Sequence, residues 1–559
     1  MHLRVLAVSL VVSATAFSQL TTHQKLSEFD HLVSVFIKNY GPREWKQSAF
    51  RLDLLDNQRW VERVRATKND IEFYDVMSGW VAQLDDAHDA YYNPSNFVAN
   101  LNFGVDLYDG KLLVDTVDLG RLPPAAYPIA IGYELVSIDG EPAAAILDRL
   151  SRYQIAANPR STRRAAAQLI TIRPQSVIPH APSVPDDSTV IFRRFDGGLE
   201  TYNLRWMKTG LPLTSVGRFP DARTSAVASS EAEPTANPVA RLANFSLPSG
   251  KFVRGMGALT PVFAQGMPAT FQQRLGRSAF DPYWSGVLRA GNERIGIIRI
   301  PGFQPQDITT AVMTWAREIQ YLQENTDGLI VDITRNPGGS SQYANALLPF
   351  LIHYDWTSVG VQLRATSTQV GALSSIIELM RAQGAPASFV AEFEGFLTDL
   401  RDANRNGSLA KTIPWDFTPG FIREPARDAR GNLQAYTKPL MVLTDEFSAS
   451  AADGFAAIIQ DNSRGPLFGW RTMGAGGSVA STPAGTLSGG TVTLTGSLIT
   501  RNKERLEEGG YPVSLYVENV GVHPDIQVDY MTRENLFGKG KPFVDAFVDA
   551  MVQHIEKNR

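Results

Sequence analysis

The chemistry this chain offers first is a serine set among backbone donors. In Thr444-Asp445-Glu446-Phe447-Ser448-Ala449-Ser450-Ala451-Ala452-Asp453, two serines stand between an apolar run, Leu440-Met441-Val442-Leu443, and the helix-like Phe455-Ala456-Ala457-Ile458-Ile459. A strand, a small-residue turn and a helix would put a serine at a helix N-terminus. There the orphan N–H groups and the positive end of the helix dipole favour an oxyanion. An ordinary N-cap serine stands at the same place, and capping is the commoner use. A second donor-rich turn is Thr334-Arg335-Asn336-Pro337-Gly338-Gly339-Ser340, which follows a buried-looking strand. Its glycines permit close backbone approach with N–H groups aimed at a ligand. No Gly-Lys-Ser/Thr follows, which argues against a phosphate loop and leaves a tight strand-to-helix turn as the plain alternative.

Both turns need a scaffold, and the flanking pattern predicts one. From about 280 to 540, strands at 295–300, 328–333 and 440–443 alternate with helices near 307–324, 340–352, 373–383 and 449–461, the signature of an α/β core. Residues 19–99 read as a helical block closing at Asp85-Asp86-Ala87-His88-Asp89-Ala90. Residues 100–208 read as a β-rich module, with strand-like 103–107 and 111–117 joined by Asp109-Gly110. Within it, Gly132-Tyr133-Glu134-Leu135-Val136-Ser137-Ile138-Asp139-Gly140 resembles a run found in PDZ domains. Residues 209–279, with an Ala/Ser/Pro/Glu-rich stretch at 221–248, predict a linker or mobile loop, and 541–559 a C-terminal helix.

Composition bounds the rest. At 559 residues the length allows about three or four domains. A formal net charge of -4 gives no electrostatic case for nucleic acid or an anionic membrane. The absence of cysteine removes disulfides, thiolate catalysis and cysteine zinc sites. His2 and Arg4, the apolar 5–12 and the small residues Ala16 and Ser18 have the order of a signal peptide over 1–18, cut before Gln19. No later run has the roughly 18 apolar residues of a membrane span. The expected mature protein is therefore exported, periplasmic or secreted.

Taken in order, Ile300-Pro301-Gly302-Phe303, the 328–339 segment, Phe447 to Asp453 and Gln460-Asp461-Asn462 resemble the C-terminal-processing (tail-specific) serine peptidases. The resemblance spans roughly 280–530, and a preceding PDZ-like module is typical of that family. It implies a crotonase-like α/β catalytic core and makes Ser450 the nucleophile, with Asp461 the matching aspartate and Ser448 structural. The oxyanion donors would be the N–H of Ala451 and that of Gly338 or Gly339. No cofactor or metal is implied, and no His-Glu-x-x-His occurs.

One position departs from that pattern. The tail-specific members pair the serine with a lysine in a Thr-x-Gly-Lys-Gly segment; here the segment is Thr472-Met473-Gly474-Ala475-Gly476-Gly477. Alanine cannot take a proton, so either the protein is inactive or another residue activates Ser450. Among the histidines, His2 leaves with the signal, His23 and His554 lie near the mature termini, His180 in a Pro-rich loop and His353 at the end of an apolar helix. His88 and His523 are the candidates. Their segments are similar to the branch of the chlamydial protease-like activity factor, which uses a Ser-His-Glu arrangement. That resemblance makes His88 the general base, Glu518 its orienting carboxylate and Ala475 a trait of the branch; His523, the other candidate histidine, is the reserve base.

The reading is an exported serine endopeptidase acting on protein or peptide substrates. Its PDZ-like module would add a peptide as an extra strand. In the family such modules, or segments near them, can occlude the site, and the 221–248 loop is a candidate for autolytic nicking. The branch allows a homodimer, which the sequence does not show. The rival is a non-catalytic peptide- or ligand-binding protein on the same scaffold, supported by Ala475.

Overall fold

The computed structural model describes residues 19–216, 242–248, 253–505 and 513–559. The expected signal segment and most of the 221–248 loop lie outside them.

Strands Glu293–Arg299, Gly328–Asp332, Leu440–Thr444, Leu467–Gly469 and Ile526–Gln527 run parallel and adjacent in that order. Gln272–Leu275 and Trp284–Ala290 extend the sheet antiparallel at one edge. Gly328–Asp332 and Leu440–Thr444 are buried along their whole length, which is why both read as unbroken apolar runs. Helices Ile308–Asn325 and Ala451–Asp461 pack into the core with Trp315, Phe455 and Phe303, while Lys541–Lys557 lays Phe543, Phe547 and Met551 against the sheet elsewhere. In an open α/β sheet the carboxyl ends of neighbouring strands form the natural crevice. The two turns singled out from sequence leave two adjacent strands at that end.

Helices Thr22–Asn39, Arg43–Phe50, Gln58–Ala66 and Asp70–Ala82 form the N-terminal block. Trp80 meets Phe36 and Phe29 edge-on, at 5.1 and 6.1 Å between ring centroids. The next module is antiparallel, with Phe103–Tyr108, Lys111–Val117, Glu134–Ile138, Asp187–Arg193 and Leu199–Arg205 in spatial order and helices Ala143–Ser151 and Pro159–Thr171 against them. Helix Pro159–Thr171 also docks on the core. Arg160 and Arg164 reach Glu446 at 2.6 and 2.8 Å, and Arg164 pairs with Asp106 at 2.7 Å. Asn158 Nδ2 donates to the Met473 carbonyl. The module is thus clamped onto the turn that carries Ser450.

The structure corrects one expectation and adds a helix. The described part of 209–279 is not a linker: Asn244–Ser246 is a strand on Gly338–Ser340, and Gln272–Leu275 is an edge of the main sheet. A further helix, Ala387–Asn406, pairs with Ser367–Ala382. Its stripe of Phe393, Leu397, Leu400 and Ala403 is buried, but charged residues around it dilute the helical period in sequence. Among the described residues, no helix is long and apolar enough to cross a membrane.

Candidate active site

Ser450 is the N-cap of helix Ala451–Asp461, with φ 61° and ψ −111°. A non-glycine residue in that region costs about 1–3 kcal/mol, which the surrounding contacts must offset. Asp453, three residues on, accepts the Ser450 N–H at 2.6 Å. The same carboxylate accepts the N–H groups of Gly474 (2.9 Å) and Ala475 (3.1 Å) and the Thr472 hydroxyl. Burial pushes the Asp453 carboxyl up to about 6, against these four donors. The backbone is therefore bent and tied from within, and the Ser450 hydroxyl is presented to a histidine: His88 Nε2 lies 2.9 Å from Ser450 Oγ.

His88 reaches Ser450 because the 85–89 turn is clipped to the core on several sides. Strand Ala90–Tyr92 pairs with Thr491–Thr495. The Thr495 N–H donates to Asp89 Oδ1 and its hydroxyl to Asp86 Oδ1, each at 2.9 Å. Lys46 Nζ and Asn519 Nδ2 both donate to the Asp85 carbonyl, at 2.8 and 2.7 Å. Asp86 Oδ1 takes the His88 backbone N–H at 2.9 Å, and Oδ2 takes the Tyr40 hydroxyl at 3.0 Å. Burial alone would raise Asp86, but the charges of Lys46 and His88, together with the hydrogen bonds from the His88 N–H and the Thr495 hydroxyl, outweigh it and hold the carboxyl low.

Glu518 is fully buried in the same cluster. Its Oε1 accepts from Lys46 Nζ and its Oε2 from the Gly476 N–H, both at 2.9 Å. Burial, reinforced by Asp86 and opposed by Lys46 and Gly476, raises its carboxyl to about 8. The Thr472–Gly477 loop now has a physical role without a lysine. Gly474 and Ala475 donate to Asp453, and Gly476 donates to Glu518. A Cβ on Gly476 would overlap the backbone of Glu518. Ala475 is buried with Ala87, Ala449 and Met473.

Ala451 is the first residue of its helix, so its N–H has no acceptor one turn back. Gly338 stands against the serine: a Cβ there would approach Ser450 Cβ to 2.7 Å and overlap the Phe245 carbonyl. Its φ of 90° suits glycine, and its N–H donates to Asn336 Oδ1 at 2.9 Å. Gly339 is placed differently. The Leu247 N–H donates to the Pro337 carbonyl and the Ser341 N–H to Ala243, so the register makes Phe245 and Gly339 a hydrogen-bonded pair between them. Of the two glycines expected as donors, Gly338 is therefore the one beside Ser450. Strand Asn244–Ser246 lies along it, Phe245 and Leu247 are buried, and Ser450 and His88 are fully enclosed.

Other expected residues fall away from this centre. Ser448 is structural: its hydroxyl donates to the Ile333 carbonyl at 2.8 Å and accepts the Asp445 N–H at 3.0 Å. Asp461 lies at the far end of the Ser450 helix, about 16 Å along it, paired with buried Arg501. His523 sits at that far end too, its carbonyl accepting Gln460 Nε2, and does not serve as a reserve base. Three residues of the cluster escaped the sequence reading. Asp453 had a signal, the N3 acid of a capping box. Asp86 was visible only as acidity beside His88. Lys46, between Trp45 and Gln47 in a short helix, carried none.

With the fold and site in view, comparison with known proteins defines the class. Residues 294–528 match the family model for Peptidase family S41, and residues 98–212 match that for a PDZ domain. The protein is a serine peptidase in which residues 294–528 are similar to peptidase family S41 and residues 98–212, ahead of them, to a PDZ domain. More particularly, it is similar to a protein of Chlamydia trachomatis serovar D, 26% identical over 96% of this chain and 93% of the relative. A protein of Chlamydia pneumoniae is 24% identical over 96% and 90%. Among solved structures, mature CPAF shares the fold with a TM-score of 0.75 at 21% identity, covering 96% of this chain and 98% of that one.

Proposed function

We propose that this protein is an exported endopeptidase that cleaves polypeptides through an acyl-enzyme on Ser450, with His88 as general base and Glu518 orienting and stabilising it. The observation that carries this reading is the 2.9 Å approach of His88 Nε2 to Ser450 Oγ at the mouth of a helix N-terminus. As Ser450 Oγ bonds to the peptide carbonyl carbon, its proton passes to His88 Nε2. The carbonyl oxygen becomes an oxyanion facing the N–H of Ala451 and, once Asn336 yields it, that of Gly338. The C–N bond then breaks and the amine leaves with the proton from His88. Water, deprotonated by the same imidazole, hydrolyses the ester and restores Ser450. Glu518 in its ionised form stabilises the imidazolium in both halves.

A fluorophosphonate probe tests the nucleophile directly. Labelling is expected on Ser450 in the native protein or in Phe245→Ala, which loosens the covering strand, and in neither background after Ser450→Ala. Folded protein that takes no label in either form would favour the non-catalytic scaffold. The proposal of export rests on the composition of 1–18. It is supported by Gln19 and Leu20 being tied at once to Asp70, at 2.7 and 3.0 Å. N-terminal sequencing of the protein recovered outside the cytoplasm is expected to begin at Gln19; a start at Met1 would sink the idea.

A further inference from the structure

Lys46 is a buried charge for which the reaction above has no use. Its side chain is 1% exposed, on helix Arg43–Phe50 of the N-terminal block. An ammonium has three N–H donors, and all three are engaged: the Asp85 carbonyl at 2.8 Å, Glu518 Oε1 at 2.9 Å and Asn519 Oδ1 at 2.6 Å. These partners come from the two segments that build the base. Asp85 lies three residues before His88, and Glu518 and Asn519 lie on the C-terminal segment beside it.

Charge makes the placement consequential. Asp86 accepts the His88 backbone N–H, and the Tyr40 phenol, hydrogen-bonded to Asp86, feels the carboxyl groups of Asp86, Asp89 and Glu518 together. Crowded buried acids repel one another, and the most enclosed of them retains its proton unless a cation faces it. A protonated Glu518 would carry no charge to stabilise an imidazolium. Lys46 supplies the facing cation, and its own pKa is displaced upward: burial opposes its charge, but Glu518, Asp86 and Asp85 more than restore it. Nor is Lys46 a general base, since its donors are engaged away from Ser450.

We infer that Lys46 is a positioning residue of the peptidase reaction, its ammonium bridging the Asp85 carbonyl to Glu518 so that the carboxylate is fixed in place and its charged form favoured. The inference rests on the Ser450–His88 reading. It also accounts for a site without the usual lysine: the cation is retained, but it acts on the carboxylate instead of on the serine.

The test is the pH dependence of fluorophosphonate labelling in full-length protein, made in the Phe245→Ala background so that access does not limit it. With Lys46 present, labelling should rise with pH through about 8, as Glu518 ionises. Lys46→Met should move that limb upward by about one pH unit or more, with about a tenfold loss at pH 7. Lys46→Arg, which keeps the charge, should return the limb toward its original place. In a Glu518→Gln background, Lys46→Met should change the rate by less than about twofold, because the two residues act as one unit. An unmoved limb in Lys46→Met overturns the inference, as does a full additional loss in the Glu518→Gln background. Should Lys46→Met alone not fold, the double variant against Glu518→Gln decides: equal rates support the inference and a lower rate overturns it. Absence of Ser450-dependent labelling with Lys46 intact would instead mark failure of the peptidase reading itself.

Discussion

His88→Ala is expected to lower kcat/KM on a protein substrate by about 10^4-fold or more, while the thermal midpoint shifts little beyond that of a buried cavity mutant. The size follows from geometry. His88 Nε2 is the base at 2.9 Å from Ser450 Oγ, and the position where the family pattern has a lysine is Ala475. Its loss leaves the serine hydroxyl at its ordinary acidity, with only binding and the oxyanion donors to accelerate attack. Ser450→Ala should lose a similar factor, and the double variant should lose no more than either, since residues of one catalytic unit do not add. A His88→Ala protein retaining more than about a tenth of native activity would refute the assignment, because no triad component is so dispensable.

How much of this was legible in the chain depends on which interactions are local. The Leu440–Thr444 strand, its small-residue turn and the following helix could be read because buried parallel strands and helix starts write themselves into a few consecutive residues. The Thr334–Ser340 turn was legible for the same reason. His88 and Glu518 could be named only through resemblance, since nothing in the composition of 84–90 or 516–525 says that 362 residues of chain fold back to bring His88 to Ser450. Lys46 had no signal at all: its role exists only through Glu518, 472 positions away. The strand Asn244–Ser246 was missed for a different reason. Three residues beside an Ala/Ser/Pro-rich stretch carry no period, and their conformation is set by the edge they pair with.

That strand leads to the second large effect. Phe245→Ala is expected to raise the rate of fluorophosphonate labelling of Ser450 by at least about tenfold, and by as much as about 10^2–10^3-fold. Phe245 is fully buried, its ring 5.5 Å from that of Trp415, and its backbone lies along the glycine strand beside the nucleophile. An extended substrate adding as a strand to Gly338–Ser340 would need the edge that Asn244–Ser246 fills. Ser450 is fully enclosed while Asn244–Ser246 occupies that edge, so reactivity scales with the fraction of molecules in which it has lifted away. Truncating a buried Phe removes about 3–5 kcal/mol. Where local release of the strand is easier than global unfolding, that loss falls mainly on the closed state and enlarges the open fraction. Phe547→Ala, an equally buried ring on the C-terminal helix, is the control: it should lower the thermal midpoint without accelerating labelling. Equal acceleration by both would mean general loosening, and no acceleration by Phe245→Ala would mean that the strand does not govern access to Ser450.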